Sequence, residues 1–395
     1  MKILAIETSC DDTCIAIIEV FGKRNPRFKI LSNIVSSQVE IHKKWGGVYP
    51  ALAKREHQRN LSFVLIKALK QSKLLRISKS KYLISKEKLN SKILKLEKIF
   101  EQEQFLFKKL SQLLKNYEKP DIDLIAITTG PGLEPCLWAG INFARALSYF
   151  WNLPIIPINH IESHILSNWL KIENRKSKIK FPAICLVVSG GHTQLIFMKK
   201  IGSYKILGET RDDAAGECFD KVARILGLGY PGGPAIEVFA SRFKIKDSRF
   251  KIKLPRPMLN QNNFDFSFSG LKTAVLYNFK NQSQKIQKSE KYIKEMSKET
   301  QQSVIDVLLN KTKKAAKDFK AKTIILGGGV VANKELRKQF HKYFLKERLN
   351  AIFPEPFLST DNAAMTGLTA YFHLSERRSW KEITANANLN IGDES

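Results

Sequence analysis

The fold is decided at the start of the chain by residues 3–20, ILAIETSCDDTCIAIIEV. Apolar residues fill both ends of this stretch, and its middle consists of the small and polar residues typical of a tight connection. It therefore predicts a buried strand, a short turn and a returning strand. A second copy of the pattern, AICLVVSGGHTQLIFM, occupies residues 183–198.

Two such hairpins, each followed by helices, predict a duplicated α/β architecture with a ligand cleft between the halves. A third strand leads into glycines and then a helix in TIILGGGVVANKELR, residues 323–337. Glycines let a ligand approach the backbone, and a helix N-terminus favours an anion. These segments together predict a fold that binds a phosphorylated ligand.

The length of 395 residues allows two domains, and the composition, 43% hydrophobic and 26% charged, is ordinary for a globular protein. No run approaches the roughly 18 apolar residues that span a membrane. The N-terminus turns polar too early for a signal peptide. Five scattered cysteines fit a reducing cytosol, with Cys10 and Cys14 as core thiols and not a zinc pair. We expect a cytoplasmic protein without a membrane partner.

The net charge of +29 is unevenly distributed along the chain. Residues 73–119, 171–180 and 242–256 together carry 18 of the 29 surplus positive charges. Such stretches fit a polyanionic partner such as RNA, because phosphate contacts release counterions. They equally fit solvated, lysine-rich insertions, so charge alone leaves both interpretations open.

Two of these stretches also have a regular pattern. Apolar residues recur every three or four positions over residues 89–114, which predicts one long amphipathic helix with Glu103 as the single irregularity. This helix could lie on its own domain or bind a partner. Residues 241–253, SRFKIKDSRFKIK, alternate apolar and basic residues and predict an exposed hairpin.

A histidine pair is the first candidate for chemistry. His160 and His164 stand four residues apart in NHIESHILSNW, which places them on one face of a predicted helix, about 5–6 Å apart. They could hold a metal ion or be two ordinary polar residues. Asp361, in STDNAAMTG, offers a third ligand, although Thr360 or Asp361 could instead cap the following helix. Two histidines and one carboxylate suit divalent iron or catalytic zinc.

Glycine-rich turns form the second candidate site. The turn SGGH at residues 189–192 suits a phosphate or carboxylate, or is simply a tight hairpin. In residues 212–237 we expect a helix ending at a glycine-proline turn, with Gly232 and Gly233 turning the chain back before Glu237. Asp220 and Glu237 are natural partners for ribose hydroxyls.

The motifs together resemble those of one family. IETSCDDT, GGVYPALAKREH, TTGPGLEPCLWAG, NHIESH, VVSGGHTQL, DDAAGECFDK, GYPGGP, DFSFSGLKT, GGGVVAN and STDNAAM occur in the order seen in the tRNA threonylcarbamoyladenosine transferases. The resemblance implies an actin-like, sugar-kinase-like α/β fold with two duplicated domains around a nucleotide cleft. It implies a first domain over 1–165, with a Lys-rich helical insertion at 73–119 and completed by 360–380, and a second domain over 180–359.

The resemblance also implies a reaction and a set of site residues. The family transfers a threonylcarbamoyl group from threonylcarbamoyl-AMP to the exocyclic amine of the adenosine after the anticodon, in tRNAs that read codons starting with A. In bacteria it works beside a paralogous scaffold subunit and a small ATPase. Carried over, its metal ligands are His160, His164 and Asp361, holding Fe²⁺ or Zn²⁺. Its substrate-binding residues are Val187, Val188, Ser189, Gly190, Gly191, Asp220, Gly233, Glu237 and Asn333.

Three rival functions fit the residues less well. A small-molecule kinase of this fold would keep an aspartate at the second phosphate turn, where this chain has Ser189. A metalloprotease needs glutamate directly after the first histidine, whereas Glu162 lies about 200° round the helix from both histidines. A non-catalytic scaffold paralogue would lack the histidine pair. The chain departs from the family at Ala51, where an acid is usual, and no catalytic base is identifiable.

Overall fold

The computed structural model describes residues 1–22, 26–77, 86–101, 103–174, 179–241 and 250–392, without the side chains of 86–89 and 171–174. In their described parts, Met1–Glu40, Val48–Glu173 and Asp361–Ser395 form a first compact unit. Ile41–Gly47 and Asn174–Thr360 form a second. Among the described residues, every helix is too short or too polar to cross a membrane.

The first unit contains a five-stranded sheet in the order β3-β2-β1-β4-β5. Its strands β1 to β3 pair antiparallel, and β1, β4 and β5 run parallel. The predicted opening hairpin is confirmed, because Ala5 pairs with Ala16 in register and the apolar residues on both strands are buried, except Phe21 at the end of β2. The strands are β1 Lys2–Glu7, β2 Thr13–Phe21, β3 Arg27–Ser36, β4 Leu124–Gly130 and β5 Ile155–Asn159.

The second unit repeats this topology in a sheet of order β10-β9-β6-β7-β8. Again the first three strands pair antiparallel, while β6, β9 and β10 run parallel. The predicted duplication is therefore confirmed, and the fold is the actin-like α/β class. The strands are β6 Ala183–Val188, β7 Thr193–Lys200, β8 Ser203–Glu209, β9 Thr323–Gly327 and β10 Asn350–Ile352.

Helices pack against both sheets and complete one hydrophobic core in each unit. The longest is a 29-residue helix in the second unit, and the described helices bear both histidines of the candidate metal site. They are α1 Val39–His42, α2 Pro50–Gln71, α3 Lys86–Glu97, α4 Gln104–Asn116, α5 Glu134–Trp151, α6 His160–Leu166, α7 Ala215–Ile225, α8 Gly232–Ser241, α9 Ser269–Lys280, α10 Gln284–Gln287, α11 Glu290–Asp318, α12 Lys334–Lys346, α13 Pro356–Ser359 and α14 Ala363–Phe372.

The single long helix predicted over residues 89–114 is wrong. Helix α3 passes into a 3-10 turn, Lys98–Phe100, and α4 starts afresh at Gln104. The break comes at Glu103, which leaves the helical conformation, is 3% exposed and accepts a hydrogen bond from Asn142 Nδ2 at 2.9 Å. A buried carboxylate needs such a partner, and this tertiary contact overrides the helical periodicity. The hairpin predicted at 241–253 lies largely outside the described residues.

Of two glycine-rich segments, the first differs from expectation because it begins a helix, and the second leads into a helix as predicted. Gly232 and Gly233 are the first residues of α8, so Glu237 lies one turn along that helix and not beyond a reversal of the chain. The segment after β9 forms a short 3-10 turn, Gly329–Ala332, before α12 starts. Gly328 makes this turn possible, because its φ is +92° and a Cβ at this position would lie 2.3 Å from Val188 O, which excludes larger residues.

The dense motif FDFSFSGLKTAV, residues 264–275, is organised by Asp212. Its carboxylate accepts hydrogen bonds from the hydroxyls of Ser267 and Ser269, at 2.5 and 2.6 Å, and from the backbone N–H groups of Phe268 and Ser269. Ser269 is the first residue of α9, so a negative charge sits at a helix N-terminus, where it is favoured. Burial raises the pKa of Asp212, but these hydrogen bonds outweigh burial, and the pKa is lowered from its usual value.

Replacing Asp212 by Asn removes the charge and half of its acceptor capacity at this loop. We expect Asp212→Asn to lower the free energy of unfolding at pH 7 by about 1 kcal/mol, the value of one or two exposed charge-assisted bonds. Because the folded pKa is lowered, the contribution is present above the unfolded pKa and fades as pH falls through the folded one. Urea unfolding at pH 7 and pH 4 measures this.

The matched control is Asp318→Asn, an exposed aspartate at the end of α11. Its unfolding free energy should stay within about 0.5 kcal/mol of the parent at both pH values. An equal loss in both variants would show that Asp212 does not organise the loop.

Candidate metal centre

Helix α6 brings the two histidines onto one face. Asn159 caps it, because its side-chain Oδ1 accepts hydrogen bonds from the N–H groups of Ile161 and Glu162 at 2.9 and 3.1 Å. The helix then runs through His160 and His164, which are 4% and 0% exposed. Their rings lie 4.6 Å apart between centroids. Parallel strand β5 ends at this capping residue, so the sheet edge fixes where the helix starts.

Asp361 lies just before α14, and the capping role considered for it or Thr360 is filled by another residue. Asn362 is the N-cap of α14, since its Oδ1 accepts a hydrogen bond from Met365 N at 3.1 Å. The carboxylate of Asp361 instead faces the histidines. Its Oδ1 lies 3.6 Å from His160 Nε2 and 3.2 Å from His164 Nε2.

The three side chains therefore form a compact set of candidate metal ligands. One ligand atom from each of His160, His164 and Asp361 lies within 4.8 Å of the other two. Two imidazole nitrogens and one carboxylate oxygen can bind Fe²⁺ or Zn²⁺ and leave coordination positions open.

His164 supports a metal site independently of this proximity. Its ring is fully buried, and Nδ1 has no hydrogen-bond partner among the described residues. Burial lowers the pKa of His164 in spite of the opposing charge of Asp361. A buried neutral imidazole facing a carboxylate is what a divalent cation requires of a ligand, because binding needs the nitrogen lone pair.

His160 is oriented from behind by Glu7, a residue that the sequence does not single out. His160 Nδ1 lies 3.1 Å from Glu7 Oε2 and 3.2 Å from Ser9 Oγ, which leaves Nε2 to face Asp361. This is the carboxylate–histidine arrangement that fixes the tautomer of a metal-binding imidazole. Burial lowers the pKa of His160, but Glu7 and Asp361 outweigh it and raise that pKa to about 9. Without a bound cation, the protonated ring of His160 offsets part of the negative charge of Glu7 and Asp361.

The signal for Glu7 was present in the sequence. It is an acidic residue at the end of an otherwise apolar, buried strand, and it is 0% exposed. A buried carboxylate must be paired, so its position alone indicates a specific partner. The identity of that partner depends on the tertiary structure, because His160 is 153 residues away.

The second candidate site, in the other unit, is the turn between β6 and β7. His192 N donates to Ser189 Oγ at 3.1 Å, and Ser189 N donates to His192 O at 2.8 Å. A Cβ placed on Gly190 or Gly191 would meet no atom of the described chain within 4 Å, so the outer side of the turn has room for a ligand. Two of the predicted contact residues, Val187 and Val188, cannot offer their side chains to a ligand, because both side chains are fully buried in β6. Only their backbone could meet a substrate.

Two of the remaining predicted substrate residues, Asp220 and Glu237, accept hydrogen bonds from backbone N–H groups at the starts of helices. Asp220 Oδ1 accepts a hydrogen bond from Gly232 N at 2.6 Å, next to Gly233 at the start of α8. Glu237 Oε1 accepts one from Lys334 N at 2.7 Å, at the start of α12. The structure thus brings these residues together, and each already has a structural partner.

Asn333 has the most complete set of structural partners. Its Oδ1 accepts a hydrogen bond from Leu336 N at 2.9 Å and caps α12, and its Nδ2 donates to Gln301 Oε1 at 2.8 Å. The side chain is 9% exposed. These contacts give it a capping role that its likeness to nucleotide-binding motifs does not indicate.

The fold and the site define an actin-like α/β protein with a candidate His-His-Asp metal centre. A family model for tRNA N6-adenosine threonylcarbamoyltransferase matches residues 29–78 and 104–368. The chain belongs to this family. The unmatched residues between the two segments, 79–103, include α3 and fall inside the predicted Lys-rich insertion.

Relatives match over nearly the whole length of the chain. The tRNA N6-adenosine threonylcarbamoyltransferase of Persephonella marina is 41% identical over 379 residues, covering 95% of this chain and 91% of the relative. That of Thermosipho melanesiensis is 42% identical over 391 residues, covering 99% and 100%. That of Bacillus subtilis is 41% identical over 366 residues, covering 92% and 88%.

Glu7→Gln tests the candidate metal centre. We expect the affinity for Zn²⁺ or Co²⁺ to fall about 10–100-fold, because a neutral amide no longer fixes His160 as a basic ligand. Isothermal titration of the metal-free protein measures the dissociation constant. Glu103→Gln is the matched control, since it makes the same chemical change at a 3% exposed carboxylate outside the site. If both variants bind as tightly as the parent, Glu7 does not support a metal ligand.

Proposed function

We propose that this protein transfers a threonylcarbamoyl group from threonylcarbamoyl-AMP to the exocyclic amine of the adenosine that follows the anticodon in tRNA. The proposal is supported by family membership over most of the chain. The observation that carries it in the structure is the convergence of His160, His164 and Asp361 within 4.8 Å.

The reaction needs no protein nucleophile. The adenosine N6 attacks the carbamoyl carbonyl carbon, a C–N bond forms, and the C–O bond to the phosphate of AMP breaks. The amine loses one proton, and the products are AMP and N6-threonylcarbamoyladenosine. Since the activated carbonyl is a mixed anhydride with phosphate, AMP is a good leaving group, and the protein has to orient the reactants and stabilise developing charge.

Within the second unit, the turn Ser189 to His192 and the start of α8 are the groups we assign to the adenylate. Backbone N–H groups in a glycine turn and at helix N-termini attract a phosphate. Asp220 and Glu237 would accept hydrogen bonds from ribose hydroxyls. Val187, Val188 and Gly233 would contribute backbone atoms, and Asn333 would hold α12 in place beneath the ligand.

Within the first unit, His160, His164 and Asp361 would hold one divalent cation, and Fe²⁺ is our first choice with Zn²⁺ as the second. When bound, the cation would supply Lewis-acid polarisation of oxygen atoms on the threonylcarbamoyl portion. Glu7 keeps Nδ1 of His160 engaged so that Nε2 stays available. Burial keeps His164 neutral and ready to bind.

The same proposal covers partners, location and domains. We propose that the protein works in the cytoplasm, beside a paralogous scaffold subunit and a small ATPase. Domain ranges of 1–165 with 360–380, and 180–359, remain predictions. Kinase activity on a small molecule and a non-catalytic scaffold role are the alternatives, and membership of the transferase family favours neither.

The departure at Ala51 falls in the first turn of α2, a helix whose first turn has no acidic residue. The side chain is exposed, so an acid there would face solvent or a ligand and would not enter the core. If the family acid assists the reaction, this protein should be slower than relatives that have it. Ala51→Glu restores the acid at that position.

The direct test of the activity is nucleoside mass spectrometry on unmodified tRNA. The tRNA is incubated with threonylcarbamoyl-AMP, the bacterial partner proteins and either the parent or His160→Ala. We expect threonylcarbamoyladenosine from the parent and none from the variant, because the variant loses a metal ligand. Equal amounts of product from both proteins would support the transferase activity but show that it does not require the metal site. No product from either, beside an active relative, would count against the transferase, with Ala51→Glu tested next.

The turn after β6 is tested with Gly191→Ala. The added methyl group meets no described protein atom, so the melting temperature should stay within about 1–2 °C of the parent. It would occupy the space that we assign to the adenylate, and KM for threonylcarbamoyl-AMP should rise about tenfold, equivalent to about 1.4 kcal/mol.

Gly270→Ala is the matched control, because the nearest atom to its added Cβ is Pro257 Cγ at 4.0 Å. It should change neither the melting temperature nor KM. Unchanged KM in Gly191→Ala would place the adenylate elsewhere.

A further inference from the structure

A buried ion pair links the two helices that carry the candidate metal ligands. His373 follows α14 directly, at its C-cap position, and its Nε2 lies 2.9 Å from Oε2 of Glu162 on α6. Its Nδ1 lies 2.6 Å from Glu376 Oε1. The His373 and Glu162 side chains are 16% and 7% exposed. Nothing in the proposed reaction uses this cluster.

The ion-paired residues lie on, or directly beside, the same two helices as the metal ligands but away from the ligands themselves. Glu162 lies two residues from each histidine, so it points about 200° away from them round α6. Asp361 lies at the opposite end of α14 from His373. Helix α14 packs against α6. Asp361, just before α14, faces the two histidines, whereas His373, just after it, contacts Glu162.

The body of α14 is buried, and its larger side chains Met365 and Leu368 are fully buried as well. Ala363, Ala364, Gly367 and Ala370 are all small and buried. At Gly367 even a Cβ would approach Ile18 Cδ1 to 3.0 Å and Ala5 Cβ to 3.1 Å, so the helix backbone lies close to the sheet. Small residues allow this close approach, and the ion pair of His373 with Glu162 adds a polar contact just beyond the end of the helix.

The charge state of His373 suits such a contact. Burial lowers its pKa, but Glu162 and Glu376 outweigh burial and raise it to about 9. At neutral pH the ring is therefore an imidazolium that faces a carboxylate at each nitrogen. A cation at a helix C-terminus is also favoured by the helix dipole.

We propose that His373 is a positioning residue for the metal centre, which holds α14 against α6 through Glu162 and so sets the distance from Asp361 to His160 and His164. The inference rests on the proposed metal site. A bound cation would connect α6 to the residue before α14, and the ion pair connects α6 to the residue after α14. Loss of the ion pair should therefore weaken metal binding although no ligand is changed.

The test is metal affinity in the full-length, metal-free protein. Isothermal titration with Zn²⁺ gives the dissociation constant, and the visible spectrum of the Co²⁺ form reports coordination geometry. For His373→Ala we expect about a tenfold weaker dissociation constant, at the low end for a residue that orients a ligand, and an altered Co²⁺ spectrum. His373→Gln keeps an N–H donor and should recover part of the affinity.

Two controls separate positioning from general destabilisation. His341→Gln changes an exposed histidine on α12 and should bind metal like the parent. Glu162→Gln and the double variant Glu162→Gln/His373→Gln complete a cycle. If both residues act through their mutual contact, the double variant should lose no more affinity than the worse single variant.

The outcomes are distinct. Parent-like affinity and spectrum in both His373 variants would overturn the inference, whatever their melting temperatures. Parent protein that binds neither metal would overturn the metal site and this assignment with it, while product formation in the tRNA assay would still report the transferase. Weakened affinity in His373→Ala with partial recovery in His373→Gln would support the positioning role.

Discussion

The buried carboxylate of Glu7 is the interaction on which the first unit's site depends. It lies at the end of β1 with no exposure to solvent, and it accepts hydrogen bonds from Ser9 N and Thr128 Oγ1, each at 2.6 Å. It also contacts His160 Nδ1. One charge thus joins the turn after β1, the neighbouring strand β4 and helix α6. An ionised group in this position is tolerable only because all of its partners are in place.

The same constraint explains why a metal would fit here. Glu7 and Asp361 flank His160, so without a cation the site keeps a proton on that ring. His164 has the opposite property, because burial keeps it neutral. A divalent cation would displace the proton and use both rings, which balances two carboxylates with a larger charge. The site is therefore arranged around a positive charge, whichever cation supplies it.

Each unit uses the duplicated fold in its own way. In the first unit the ends of β1 and β5 carry the acid and the histidine helix. In the second, the equivalent β6 ends in the turn Ser189 to His192, and α8 and α12 begin beside residues predicted to bind nucleotide. The structural partners of Asp220, Glu237 and Asn333 show that much of this second site's polarity maintains its shape. A substitution there would change the shape as well as the contacts.

The two hairpins, the duplication, the histidine pair on one helix face and the family could all be predicted from residue order alone, because each is local or follows an ordered set of motifs. Such prediction failed where a distant partner decides: Glu103 interrupts the predicted long helix through Asn142, and Asp212 shapes a loop some 55 residues away. The sequence also offered Thr360 or Asp361 as a possible cap of α14, whereas Asn362 provides it. The roles of Glu7 and His373 likewise depended on tertiary structure. A buried charge indicates in the sequence that a partner exists, but only folding brings that partner within hydrogen-bond distance, from 39 residues away for Glu103 and 153 for Glu7.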